Sequence, residues 1–371
     1  MAKFFFTQQQ NIELIVEGGN PSGGSVIATM VWMNALKELG HDIILSKIEN
    51  DPRPILKKYS WIETYPIYNT EKGIPKIRWL TYRFPKIFYA LKLSKCHYLF
   101  ESIPSWSSFL LGILCQRLGI KHIIRISNDL ILNNSNNIRY SYFERQLISF
   151  GFRMCDFIIT QNEYQYQTLK ERFPNKKILK ISNPIVLDNR FLNSKHNFSG
   201  YLAWLANFRS AKNMELLYNI AIKCKKEQFK IAGEPLQPLD EETAEYLPKL
   251  KALPNVEFLG KLNRDEIHSF LFNAKFLLNT SRYEGFSNTF LEAMQVGTPI
   301  LTTKKVNPDE IISQYDLGLI YENEEDLKQK MASISETDYT IKSQNCVDYL
   351  KRNHDHLELG RRFLNFLDPK T

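Results

Sequence analysis

Short apolar runs punctuate this chain, and the stretches between them carry apolar residues at helical spacing. In the first unit, 12–47, an apolar run (Ile12, Leu14, Ile15, Val16) meets a glycine-rich stretch at 17–25. A helical pattern then continues to Leu39, Gly40 supplies a C-cap, and 42–46 reads as a second strand. Further runs at 98–100, 122–126, 157–160 and 178–181 alternate with helical segments up to Asn183 and Pro184. After a polar stretch at 188–199 the pattern restarts, with runs at 201–206, 229–233, 256–260, 276–280, 299–302 and 317–321. This alternation predicts an α/β chain of two domains, each built on a doubly wound parallel sheet. No repeat period in the range of about 20 to 50 residues suggests a solenoid.

Composition narrows the class without changing that picture. The 371 residues are 43% hydrophobic and 24% charged, the balance of a globular chain rather than a fibrous or disordered one. The run at 109–115, broken by Gly112, falls far short of the roughly 20 residues a membrane span requires. The N-terminus lacks the apolar core and cleavage site of a secretory signal, and the five cysteines form no C-x-x-C pair, so a reducing cytoplasm is the expected home. The net charge of +8 is unevenly spread. Segment 52–96 holds ten basic residues against only Glu63 and Glu71, interleaved with nine aromatics. Such a mixture suits an anionic membrane surface or a nucleic acid, and equally a solvated face whose aromatics turn to the core. No base-stacking or groove-reading motif stands out, so no nucleic-acid partner is expected.

Two loops carry candidate chemistry. Gly18, Gly23, Gly24 and Ser25 lie one residue from a P-loop, with Gly24 where its Lys would stand, and the spacing is not G-x-G-x-x-G. Without the ammonium the P-loop chemistry is lost, and a tight turn is the alternative. In the stretch 278–299 a strand leads to Glu284, Gly285 turns the chain, Ser287 or Asn288 caps a helix, and Gly297 ends it. Glu284 then lies before the helix and Glu292 on it, while the amides of Phe286 to Thr289 and the positive helix end offer an anion site between them. Upstream, 206–213 opens another helix and places Arg209 and Lys212 at a strand end, where cations can stabilise a leaving phosphate.

Taken in order, these fragments resemble a retaining glycosyltransferase of the GT-B fold, family four (group 1 type). Gly23-Gly24 and Gly40-His41 resemble the family's N-terminal opening, 183–184 its interdomain junction, 231–233 and 255–260 its second-domain strands, and 281–294 its signature. The resemblance implies two Rossmann-like domains facing across a donor and acceptor cleft. It divides the chain into an acceptor-side domain at 1–185, a nucleotide-sugar domain at 186–345, and a C-terminal helix at 346–371 that returns to the first domain. It implies that Glu284 contacts donor-sugar hydroxyls and Glu292 the ribose. The amides of Ser287, Asn288 and Thr289, with Arg209 and Lys212, hold the diphosphate, Gly24 closes over it, and Gly23, Gly285 and Phe286 are further donor-binding residues.

The chain departs from the family twice. Asn207 stands where relatives carry the motif's Arg, so the cationic role passes to Arg209, with Asn207 kept among the donor contacts. Asn128 stands where many relatives carry a His facing the donor sugar, and an Asn amide can hydrogen-bond a hydroxyl but cannot take a proton at neutral pH. The implied chemistry is attack on the face the nucleotide leaves from, the departing phosphate oxygen taking the acceptor proton, with no metal and no cofactor. The expected reaction moves a hexose or N-acetylhexosamine from a UDP-sugar to a lipid-linked glycan in polysaccharide, lipopolysaccharide or O-antigen-type assembly. It would take place at the cytoplasmic face of the membrane, with 52–96 docking on anionic lipid. The alternative is a non-catalytic subunit that binds nucleotide sugars.

Overall fold

The computed structural model describes residues 1–21, 23–132 and 141–368. They form two compact units, Met1–Pro184 with His356–Thr371, and Ile185–Asp355. The first carries seven parallel strands: β1 (Lys3–Phe6), β2 (Asp42–Lys47), β3 (Glu63–Pro66), β4 (Tyr98–Glu101), β5 (Lys121–Arg125), β6 (Phe157–Thr160) and β7 (Lys177–Lys180). Their order is β3-β2-β1-β4-β5-β6-β7. Helices α1 (Gly24–Glu38), α2 (Phe84–Ser94), α3 (Ser108–Leu118), α4 (Tyr142–Met154) and α5 (Glu163–Arg172) connect them.

The first strand is not the one the pattern suggested. Residues 9–14 form a 3-10 turn, and the strand is the Phe4-Phe5-Phe6 run. The physical reason lies in the spacing. A central parallel strand is covered on both faces and so reads as an unbroken apolar run, and each of these rings is at most 1% exposed. Ile12, Ile15 and Val16 recur instead at helical intervals and bury one side of a turn. Each buried Phe contributes about 1.5–3 kcal/mol relative to exposure.

The second unit repeats the plan with β8 (Tyr201–Leu205), β9 (Phe229–Ala232), β10 (Val256–Gly260), β11 (Ala274–Leu278), β12 (Ile300–Thr303) and β13 (Gly318–Tyr321), in the order β10-β9-β8-β11-β12-β13. Its helices are α6 (Met214–Lys223), α7 (Glu241–Lys251), α8 (Arg264–Phe272), α9 (Asn288–Gln295), α10 (Ile311–Gln314), α11 (Glu324–Ser333) and α12 (Glu336–Asn353). Strand order reverses between β8 and β11, so the loops leaving their carboxyl ends diverge and open a crevice. Gly233 serves that crevice, because a Cβ there would stand 1.8 Å from the Ala206 carbonyl oxygen.

The polar stretch at 188–199, which reads as a boundary, is packed onto this unit. Lys195 is buried, its ammonium donating to the carbonyls of Leu271 (3.0 Å) and Ala274 (2.6 Å). The segment expected to return as one helix, 346–371, divides at Asp355. Helix α12 packs on α9 within the second unit. Helix α13 (His356–Leu367) packs on α1, with Phe363 5.3 Å from Trp32 between ring centroids and Gly360 tight against Ala35 and Leu39. Ser22 and 369–371, which belong to the glycine stretch and the tail, lie outside the described residues.

Within 52–96 most of the aromatics pack inward, fully or in part, and Tyr89 does not. Tyr68 and Phe84 are buried, and Trp79 sits 5.1 Å from Trp106 and 5.5 Å from Phe84. Arg83 is buried with them, its guanidinium 4.7 Å from the Trp79 ring and 4.9 Å from that of Tyr68. The outer face instead carries Ile74, Ile77, Leu80, Tyr89 and Leu93 among exposed lysines.

Candidate functional site

The crevice between β8 and β11 collects two loops, 206–213 and 279–287, and a ladder of hydrogen bonds joins them. Trp204, at the end of β8, donates its indole N–H to Thr280 Oγ1 at 3.0 Å, and Thr280 Oγ1 donates to the Lys212 carbonyl at 2.7 Å. The backbone N–H of Arg282 donates to the Ala211 carbonyl at 2.9 Å. The Arg282 guanidinium donates to the Ser210 carbonyl and to Glu242 at 2.7 Å on α7, while Asp240 accepts the Ser210 amide at 3.0 Å. Asn213, in the left-handed region at φ 57°, then caps α6 by accepting from the Leu216 amide.

This framework brings Lys212 and Glu284 into a direct ion pair, with side chains only 15% and 18% exposed. Ser281 Oγ donates to the same Glu284 oxygen at 3.0 Å. Two residues 72 positions apart are therefore charge partners in the free protein. Arg209, three residues before Lys212 in the same loop, is exposed, and among the described residues its guanidinium has no ion pair. Asn207 is half-buried in the same loop. On the other loop Ser287 takes the N-cap position of α9, and its Oγ lies 2.8 Å from Thr289 Oγ1 rather than on a helix amide. Phe286 is buried, its ring 5.2 Å from His354 between centroids. Glu292, one turn into α9, is half-buried, and burial pushes its carboxyl up to about 7, with Arg264 pulling weakly the other way. Cations at a strand edge, a carboxylate already paired to one of them and a helix start suit an anionic ligand that carries hydroxyls.

Residues 189–353, which hold this whole assembly, match the family model Glycosyl transferases group 1. This part of the chain is similar to a group 1 glycosyltransferase domain. Uncharacterized glycosyltransferase MJ1178 of Methanocaldococcus jannaschii is 29% identical over 227 residues, 60% of this chain and 61% of that one. The match thus spans about three fifths of that relative's length. In fold, the chain is similar to a sucrose-phosphate synthase from Thermosynechococcus elongatus, with a TM-score of 0.78 at 13% identity over 100% of this chain and 99% of that one. It is also similar to Anabaena HepE solved with UDP-glucose, at 0.76 and 13% over 100% of both chains. The two Rossmann-like α/β units are those of the GT-B glycosyltransferases.

Ten of the residues expected at the site, Asn207, Arg209, Lys212, Glu284 to Thr289 and Glu292, lie in the second unit. Gly23, Gly24 and Asn128 lie in the first unit. Gly23 precedes α1 at φ 91°, a conformation that favours glycine, and Gly24 is the first residue of α1. Asn128 is half-buried beyond the end of β5, beside Asp129, which accepts from Gln165 at 2.7 Å and Asn162 at 3.1 Å. Sequence reading missed Arg282, Trp204, Thr280 and Asp240. Arg282 stood inside the signature stretch, but its partners are 40 and 72 residues away and leave no local spacing to detect.

Proposed function

We propose that this protein is a retaining, metal-independent glycosyltransferase of family four that transfers a hexose or N-acetylhexosamine from a UDP-sugar to a lipid-linked glycan. The observation that carries the reading is the Lys212–Glu284 pair at the β8/β11 crevice, beside the exposed Arg209 and the start of α9. In the free protein the two charges offset one another. When a diphosphate enters, Lys212 and Arg209 take its oxygens, and Glu284 is released to accept hydrogen bonds from hydroxyls of the sugar to be transferred. As the glycosidic bond breaks, the diphosphate gains negative charge, which these cations and the α9 amides of Ser287 to Thr289 would stabilise, lowering the barrier. The departing oxygen takes the acceptor proton, and the new bond forms on the same face. Glu292 is assigned the ribose hydroxyls, and Gly23, Gly24 and the Asn128 amide are assigned further donor contacts.

The titles of fold relatives support the donor and acceptor classes. HepE was solved with UDP and glucose, TarM of S. aureus with UDP and α-GlcNAc-glycerol, and WaaB is a lipopolysaccharide outer core galactosyltransferase. Among the described residues no helix is long and apolar enough to cross a membrane. The outward aliphatic and basic face of 72–95 is assigned to the cytoplasmic surface of an anionic membrane, where the acceptor is held. A thermal-stability screen against UDP-, GDP- and ADP-sugars tests the reading. At a hundred times its dissociation constant the true donor stabilises by about 2.7 kcal/mol. Stabilisation by GDP- or ADP-sugars alone would overturn the UDP assignment.

A further inference from the structure

A second charged cluster lies in the first unit, at the glycine-rich stretch. The Arg53 guanidinium stands between two carboxylates. Its Nη1 and Nη2 donate to Glu13 Oε2 at 2.9 Å and Oε1 at 2.7 Å, while Nη2 and Nε donate to Asp51 Oδ2 at 2.9 Å and Oδ1 at 3.0 Å. Hydrogen bonds from Arg53 hold both carboxyls below their ordinary range. Four of the five N–H donors of the fork are thus spent on two partners. With one Nη1 hydrogen left over, Arg53 is built to hold protein rather than to take a ligand.

What it holds is a path from the sheet to the loop. At the end of β2, Lys47 Nζ donates to the Arg53 carbonyl at 2.6 Å, which ties Arg53 to the strand. Across the fork, Glu13 uses Oε2 a second time to accept the Asn20 amide at 3.0 Å. The two segments are also joined by backbone, the amides of Glu17 and Leu56 donating to the carbonyls of Pro54 (3.0 Å) and Ile15 (2.8 Å). The turn is so close that a Cβ on Gly19 would stand 2.2 Å from the Glu13 carbonyl oxygen. Asn20 comes three residues before Gly23, and α1 begins at Gly24. Isolated surface ion pairs contribute little, but here each carboxylate is gripped on both oxygens and the Asp51 side chain is only 12% exposed. Ordering a loop on binding costs affinity, so a turn already fixed in the free protein spares the ligand that cost.

We propose that Arg53 is a positioning residue that acts through Glu13 to preset the turn at 13–20, and with it the Gly23 and Gly24 start of α1, for the donor. The assignment of those glycines to the donor rests on the transferase reading above. The test measures KM and kcat for the sugar nucleotide that the wild type turns over, together with backbone hydrogen exchange over 13–20. The variants are Arg53→Ala, Arg53→Lys, Glu13→Ala and the double alanine variant. Arg53→Ala should raise the donor KM roughly tenfold and leave kcat within about twofold, with faster exchange at Asn20. Arg53→Lys should do the same, since an ammonium keeps the charge but cannot grip two carboxylates. The double variant should be no worse than either alanine variant alone, because the two residues act as one device. A role in stability alone would lower melting temperatures and leave KM where it was. Three single variants carry the prediction, so one that misfolds leaves the others to decide. The proposal is overturned by an unchanged KM or unchanged exchange in the folded single variants, by Arg53→Lys behaving like the wild type, or by losses that add in the double variant. Wild-type turnover with unchanged variants removes this inference alone. A wild type that turns over no UDP-, GDP- or ADP-sugar removes the transferase reading and the donor role of the clamp together.

Discussion

Lys212 and Glu284 hold each other in the free protein, so a substitution at either changes what the other can do. Glu284→Ala frees the ammonium. UDP should then bind at least as tightly as before, while sugar transfer falls by roughly a hundredfold, because only the transferred sugar loses a partner. Isothermal titration and initial rates separate the two effects, and weaker UDP binding at unchanged turnover would assign Glu284 to the nucleotide instead. Glu292 makes a different prediction. Its carboxyl is raised to about 7 by burial, so the folded protein holds that proton more tightly than the unfolded chain does. Its contribution to stability is therefore most favourable at acid pH and is lost as pH rises through about 7. Glu292→Gln should raise the melting temperature relative to the wild type at pH 8 and leave it nearly unchanged at pH 5. Ligand binding runs the other way, since an ionised carboxylate is the better acceptor for ribose hydroxyls. Wild-type UDP affinity should fall between pH 8 and pH 6, and Glu292→Gln should flatten the profile. A steep profile in that variant would place the titrating group elsewhere.

At the scale of elements, the loop bearing the cations is clamped from the opposite loop through Arg282, which holds the Ser210 carbonyl and Glu242. Arg282→Ala should raise the donor KM several-fold with kcat largely retained. The fold should lose no more than about 1 kcal/mol, because the Arg282–Glu242 pair is partly solvated. Equal loss in kcat would mean that Arg282 touches the reacting groups. The sequence foretold the loop and its Lys but not this clamp, because spacing along one element says nothing about partners on another. Segment 52–96 was legible only in composition. Its alternation of aromatic and basic residues left open whether the rings turn to the core, as most of them do, and did not reveal that Ile74, Ile77, Leu80 and Leu93 face out. The structure also changes the experiment. Lys72, Lys76 and Arg78 are suitable sites for Ser substitutions, whereas Arg83 is buried between rings and its loss would damage the fold. The triple variant should lose sedimentation with anionic vesicles at low salt and keep donor hydrolysis. Equal binding of the wild type to neutral vesicles would remove the electrostatic account.

Across the whole molecule, both sheets were legible because central parallel strands must be apolar on two faces, and the signature helix because its caps and glycines are local. The first strand was misplaced because Phe4 to Phe6 carry no preceding pattern, whereas the Ile12 turn offered an apolar run of similar length. The tail was cut too early, inside α12, because the change of unit falls at Asp355 between α12 and α13 and depends on partners distant in sequence. The ion pair at the centre of the site joins residues 72 apart, and only the fold brings them together. The account stands on Lys212 and Arg209 acting in place of a metal as the counter-charge of a leaving diphosphate. The most direct measurement is the rate at which the purified chain releases UDP from UDP-hexoses in excess EDTA, with Lys212→Ala as the control. The account predicts turnover that is indifferent to the chelator and falls by roughly a hundredfold in the variant. Turnover abolished by EDTA and restored by manganese or magnesium, or a variant as fast as the wild type, would contradict it.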